Sequence, residues 1–248
     1  MPTQIHFTLS FLSMTAVVAA NAQSAPVATR DHNVRIVTVT EGLEHPWSVA
    51  LLPDGRKLVT ERPGRMRVID AAGKLDPVPI ANLPRVDPRG QGGLLDVVLH
   101  PKFAANGLVY WTYVQRDDSG FGTELARGML AGAPGAYRMD TVEVLFRMAP
   151  KSGTGLHFGS RLVFDRDGML FMTFGDRGEM NRAQDLNDHA GKLVRLTEDG
   201  KPAPGGASVT PARAEVFSSA TATCKAPCSI RRPANCGQPN MARRAATN

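Results

Sequence analysis

Three clusters in this sequence combine side chains able to do chemistry with glycines that allow tight backbone turns. The first is Arg89-Gly90-Gln91-Gly92-Gly93-Leu94-Leu95-Asp96. As a phosphate loop it is a poor match, because no Gly-Lys-Ser/Thr follows and a strand pattern comes next. An ordinary connecting loop is the plainer reading. The second is Leu156-His157-Phe158-Gly159-Ser160-Arg161, where His157 stands just before an apolar run. A neutral imidazole there can act as a general base near neutral pH. Taken alone, a His beside a Phe is more often structural. The third is Gly175-Asp176-Arg177-Gly178, followed by Ala183-Gln184-Asp185-Leu186 and His189-Ala190-Gly191-Lys192. A carboxylate such as Asp176 can orient the His157 imidazole and stabilise the imidazolium left after proton uptake. Spacing equally allows Asp176 and Arg177 to be solvated turn residues.

Such residues need a scaffold, and three segments share one pattern of strand, turn and strand. They are Trp47 to Arg62, Leu95 to Val114 and Ser160 to Arg177. In each, bulky or β-branched residues meet a Pro, Asp-Gly or Asn-Gly turn and resume as a second strand. Further strands are expected at Arg65 to Asp70, Glu124 to Leu130, Val142 to Arg147 and Lys192 to Thr197. Helix signals are thin, with one turn expected within Asn181 to Lys192. Multi-strand units recurring at roughly 48 and 65 residues suggest propeller blades. A β-sandwich is the rival all-β reading, and the repeat of whole units favours the propeller. About three blades fit within Val34 to Ala203, fewer than the four to eight that close a ring, in a partial propeller expected over residues 34–217. The expectation is an all-β fold, an incomplete propeller of about three blades.

The chain has 248 residues and 42% hydrophobic content, enough for a buried core. Its formal charge of +6 invites a nucleic-acid reading. The excess, however, is local. Lys225, Arg231, Arg232, Arg243 and Arg244 lie beyond Ser218 with no acid among them, so the body is nearly neutral and no nucleic-acid partner is expected. The same stretch holds all three cysteines, Cys224, Cys228 and Cys236, in a spacing that matches zinc motifs poorly. Residues 218–248 therefore read as an unstructured tail. At the other end, Phe7 to Ala20 is apolar, and Ala20-Asn21-Ala22 has the small-x-small form of a cleavage site. Residues 1–22 are expected to be an export signal and 23–33 a polar lead-in. The product would be periplasmic or secreted, with no membrane span after cleavage, since the run is shorter than the roughly 20 residues a span needs.

At this point four motifs become specific. The strings GLEHPWSVALLPDGRKLVTERPGRMRVID, GQGGLLDVVLHPKF, HFGSRLVFDRDGMLFMTFGDRG and AQDLNDHAGKLVRLTEDGKP resemble, in order, the soluble pyrroloquinoline-quinone-dependent aldose sugar dehydrogenases, or glucose/sorbosone dehydrogenase family. The resemblance covers residues 34–217. It implies a six-bladed β-propeller that oxidises the C1 hydroxyl of aldoses to lactones, passing the hydride to pyrroloquinoline quinone (PQQ). It also implies an active-site calcium and an external electron acceptor. By motif position the base is similar to His157, the supporting acid to Asp176 and the substrate-contacting glutamine to Gln91.

Members of this family continue with a motif like GHRNPQG and later EHGPxGGDE, which supply an Arg-Asn pair near the quinone and carbonyls for calcium. Neither string occurs here. Shifting the frame by one base over the tail's codons permits GHRNVQG, then LHPATGEL, then LWTTEHGPQGGDE, with Met241-Ala242 forcing a glycine. A single-base frameshift near Phe217 or Ser218 is therefore expected, leaving a chain that is inactive and binds neither PQQ nor calcium. The cofactor-holding residues are left unassigned, and no metal ligand is expected in this chain. A calcium-dependent lactonase on a similar propeller, and a non-catalytic propeller that binds protein or glycan, are the alternative functions.

Overall fold

A computed structural model describes residues 25–205 and 212–219. The expected signal peptide and all of the tail beyond Ser219 lie outside these residues. Two compact units are distinguished, Met1–Val39 and Thr40–Asn248. In the first, β1 (Val27–Ala28) pairs antiparallel with β2 (Asn33–Val34). The turn is closed by Thr29, whose N–H donates to the His32 carbonyl at 2.8 Å and whose hydroxyl accepts the His32 N–H at 3.1 Å. Part of the expected lead-in is thus a small hairpin. Val34 belongs to it rather than to the first blade, because its backbone is paired with Val27.

Among its described residues the second unit holds three sheets in chain order. The first contains β3 (Pro46–Leu51), β4 (Lys57–Glu61) and β5 (Arg65–Ile69). The second contains β6 (Leu94–Leu99), β7 (Leu108–Asp117), β8 (Gly120–Ala131) and β9 (Arg138–Arg147). The third contains β10 (Gly159–Phe164), β11 (Leu170–Phe174), β12 (Lys192–Leu196) and β13 (Val216–Ser219). Each is an antiparallel meander, and β3 and β10 both pack on β6. The first strand of every sheet therefore lies innermost, as blades require. The all-β expectation holds, as an incomplete propeller of three blades. The last strand runs past the expected boundary at 217, since Ser218 and Ser219 pair with Leu193 and Lys192.

Side-chain alternation explains how the blades stack. On β7, Val109, Trp111 and Tyr113 join the core against the first blade, while Tyr110 points into the core against the third. A middle blade is covered on both faces, so its strands read as continuous apolar runs. The outer faces lack that cover. Val49 and Leu51 alternate with buried Ala50 and are 55% and 70% exposed.

The predicted turns are present. Asp54 Oδ1 accepts the Arg56 N–H at 3.0 Å, and Asp165 Oδ1 accepts the Asp167 N–H at 2.9 Å. The Asn106-Gly107 turn contains an unpredicted single helical turn, α1 (Phe103–Asn106), capped by Gly107 at a φ of 65°. The turn expected within residues 181–192 is a 3₁₀ turn at Met180–Gln184. No helix among the described residues is long and apolar enough to cross a membrane.

One side chain ties the three innermost strands together. Asp96 on β6 is buried and accepts four hydrogen bonds. They come from Ser48 Oγ of the first blade at 2.6 Å, its own neighbour Val97 N–H at 3.0 Å, and Leu162 N–H and Arg161 Nη1 of the third at 2.8 and 3.2 Å. Arg161 in turn lies over the Trp47 ring, 4.3 Å from its centre. The blades are joined here by charge-assisted bonds as well as by apolar packing.

Candidate active site

Antiparallel pairing brings the start of β10 and the end of β11 to the same edge of the third blade. Gly159 is paired with Phe174, so positions two residues further out, 157 and 176, face each other. His157 Nδ1 and Asp176 Oδ1 are 2.7 Å apart. Close approach of the two segments depends on Gly175, where a Cβ would collide with the His157 carbonyl. His157 itself sits in the left-handed region at a φ of 47°, which a side-chain-bearing residue adopts only when its surroundings hold it there.

Those surroundings can be named. Gln91 precedes β6, on the same edge of the neighbouring blade. Its N–H donates to the Gly155 carbonyl at 2.9 Å, and its Oε1 accepts the His157 N–H at 3.0 Å. With the amide oxygen so used, the exposed Gln91 NH₂ is left for a ligand hydroxyl. Thr154 Oγ1 donates to the Arg177 carbonyl at 2.6 Å, and Ser152 Oγ donates to Glu179 Oε1 at 2.7 Å. Beneath lies a small apolar floor of Trp47, Leu95, Val114, Phe121 and Phe158.

The protonation logic follows. Burial raises the Asp176 carboxyl, but the hydrogen bonds from Gly178 N–H and His157 outweigh it and hold the group below the usual carboxylate range. An ionised Asp176 accepts from Nδ1–H, which fixes the tautomer and leaves the Nε2 lone pair free to take a proton. The His157 side chain is 33% exposed and that of Asp176 only 9%, so the base faces outward and its partner is covered. The solvated-turn reading of Asp176 and Arg177 does not hold. Arg177 is fully buried, because its guanidinium lies against Phe158 and is hydrogen-bonded to backbone carbonyls.

The third cluster divides by role. His189 is a core residue, flanked by Phe174 and Phe146 at ring separations of 5.7 and 4.9 Å. Its Nδ1 accepts the Ala149 N–H at 2.9 Å and its Nε2 bonds Glu215 Oε1 at 2.8 Å. Lys192 is buried and donates to the carbonyls of Arg182, Ala183 and Ala190. Glu215 and Thr154 went unnoticed in the sequence, because their partners lie 26 and 23 residues away in loops without periodic pattern. Among the described residues no group of three or more His, Cys, Asp or Glu is placed to hold a metal ion. The paired imidazole and carboxylate suit proton transfer.

His189 carries a pH prediction. Burial, its largest influence, lowers it below 6.5 despite the opposing Glu215 contact. The unfolded chain therefore binds that proton more tightly than the folded one. The resulting stability is present above the unfolded value of 6.5 and is lost as pH falls through it toward the lower folded value. Urea unfolding followed from neutral to mildly acid pH should show this slope. His189→Gln, which keeps an acceptor and a donor but cannot titrate, should flatten it; an unchanged slope would remove His189 as the cause.

The sequence profile of the Glucose / Sorbosone dehydrogenase family matches residues 43–221. The chain belongs to this family. It is 39% identical over 194 residues to the aldose sugar dehydrogenase YliI of Escherichia coli K12, covering 77% of this chain and 50% of that one. A crystal structure of a glucose dehydrogenase is 42% identical with a TM-score of 0.66, covering 71% of this chain and 51% of the other. The PQQ-bound aldose sugar dehydrogenase of Streptomyces coelicolor is 32% identical with a TM-score of 0.60, covering 69% and 50%. The chain spans about half the length of the curated relatives it matches.

Proposed function

We propose that the protein to which these residues belong is an exported quinoprotein sugar dehydrogenase that oxidises the C1 hydroxyl of an aldose to a lactone. The observation that carries this reading is the 2.7 Å contact between His157 Nδ1 and a buried Asp176, with the imidazole facing outward. His157 Nε2 takes the proton of the C1 hydroxyl, and Asp176 stabilises the imidazolium that results. The free Gln91 NH₂ holds a sugar hydroxyl and so orients C1 toward the oxidant. PQQ, when bound, supplies the two-electron acceptor for the C1 hydride, and an external acceptor reoxidises it. The PQQ-bound relative supports that choice of cofactor. Calcium rests on family resemblance alone.

The tail bears on how this is tested. We propose that its codons, read one base over, encode the missing quinone and calcium contacts. The 248 residues as they stand should give no glucose-driven dye reduction above a quinone-free control when supplied with PQQ and calcium. The same gene with the frame restored should turn over glucose and release lactone. Robust turnover by the 248-residue chain would overturn the inactivity claim. Lactone hydrolysis without dye reduction by the restored protein would replace the dehydrogenase reading with the lactonase. The nucleotide sequence beyond the Arg213 codon settles the frame independently.

A further inference from the structure

We propose that Arg177 is a positioning residue that clamps the peptide between Leu156 and His157 and thereby sets the imidazole on Asp176. The proposal builds on the reading of His157 as the base. Arg177 is fully buried, and among the described residues its guanidinium bonds the backbone carbonyls of Leu156, Thr154 and, at 3.5 Å, Phe121, with no carboxylate. Nη1 donates to the Leu156 carbonyl at 2.7 Å and Nη2 to the Thr154 carbonyl at 2.6 Å. The plane lies over the Phe158 ring, with Cζ 3.6 Å from the ring centre, and Nε is buried without a partner. Burying a cation in this way is costly, and a well-packed apolar side chain would often be as stable.

What the cation provides is orientation. The Leu156 carbonyl and the His157 N–H belong to one planar peptide group. Arg177 holds the carbonyl end, and Gln91 Oε1 holds the N–H end at 3.0 Å. With that plane fixed from both sides, rotation about the next bond is what remains, and it is the His157 φ of 47°. A methionine or leucine at 177 would fill space but release the carbonyl end. Burial lowers the Arg177 guanidinium to about 10, with Arg182 acting in the same direction and Glu179 and Asp176 opposing. The clamp therefore stays charged at neutral pH.

The test does not require turnover. In the full 248-residue chain, proton NMR should show a downfield, slowly exchanging His157 Nδ1–H that is absent in Asp176→Asn. In Arg177→Met that resonance should broaden or vanish. The His157 amide should exchange roughly tenfold faster, about the effect of losing one or two hydrogen bonds of ordinary net strength. Amides of β4 and β7 should keep their protection. Should Arg177→Met not fold, Arg177→Lys is read instead, since an ammonium cannot span both carbonyls and the same local pattern is expected in weaker form. Unchanged protection at His157 in a folded variant, or acceleration shared equally by all three blades, would overturn the proposal. Failure of the base assignment would show up separately, as full sugar oxidation by a His157→Asn enzyme whose Arg177 clamp is intact.

Discussion

Asp96→Ala should destabilise the propeller unit by about 3–5 kcal/mol, because a buried carboxylate is removed and several donors lose a charged acceptor at once. Its carboxylate receives Ser48 Oγ, Val97 N–H, Arg161 Nη1 and Leu162 N–H, so four donors lose their acceptor together. Two of these belong to the third blade and one to the first, so the links between blades are lost together. The Asp96 N–H bond to Thr112 Oγ1 at 3.0 Å survives, because it is made by the backbone. For a domain of this size the loss corresponds to a fall of roughly 10 °C in Tm. Asp96→Asn should fall between, keeping an acceptor but losing the charge that draws Arg161. Thermal and urea unfolding check the order. A loss below about 1 kcal/mol, the range of an exposed ion pair, would show that apolar packing alone joins the blades.

His157→Asn in the frame-restored enzyme should lower kcat for glucose by about 10²–10⁴, the range a positioned general base contributes. KM should change little, since the imidazole is asked to take a proton and not to hold the sugar. Asparagine is close in size and can still bond Asp176, so the loss would be attributable to the missing lone pair. Asp176→Asn should lower kcat as well. It keeps a side chain facing Nδ1 but removes the charge that favours the imidazolium. A rise in KM at constant kcat in His157→Asn would make His157 a binding residue.

How much of this was legible in the sequence depended on the distance between partners. The Asp54-Gly55 and Asp167-Gly168 turns were readable, because the Asp54 and Asp165 carboxylates each accept a backbone N–H two residues on. The strands flanking them were readable from runs such as Leu170–Phe174. His157, Asp176 and Gln91 stood out because glycines mark the loops that carry them, and the family resemblance assigned their roles. The Asp96 hub was not readable. Its partners Ser48 and Leu162 lie 48 and 66 residues away, and only the stacking of blades brings them together. Arg177 was misjudged for a related reason. An Asp-Arg-Gly turn looks solvated until Phe158 and the Thr154 and Leu156 carbonyls fold over it. The hairpin at Val27–Val34 was missed because its two-residue strands carry no periodicity.

Proton removal by His157 and hydride transfer from C1 to PQQ, as proposed for the whole enzyme, should be visible in one reaction. The frame-restored protein, loaded with PQQ and calcium, is mixed with glucose in a stopped-flow spectrometer. The quinone absorbance should convert to the reduced form as lactone appears, more slowly with C1-deuterated glucose and hardly at all in His157→Asn. Quinone that stays oxidised in the presence of glucose, or reduction at an undiminished rate in His157→Asn, would contradict the proposal.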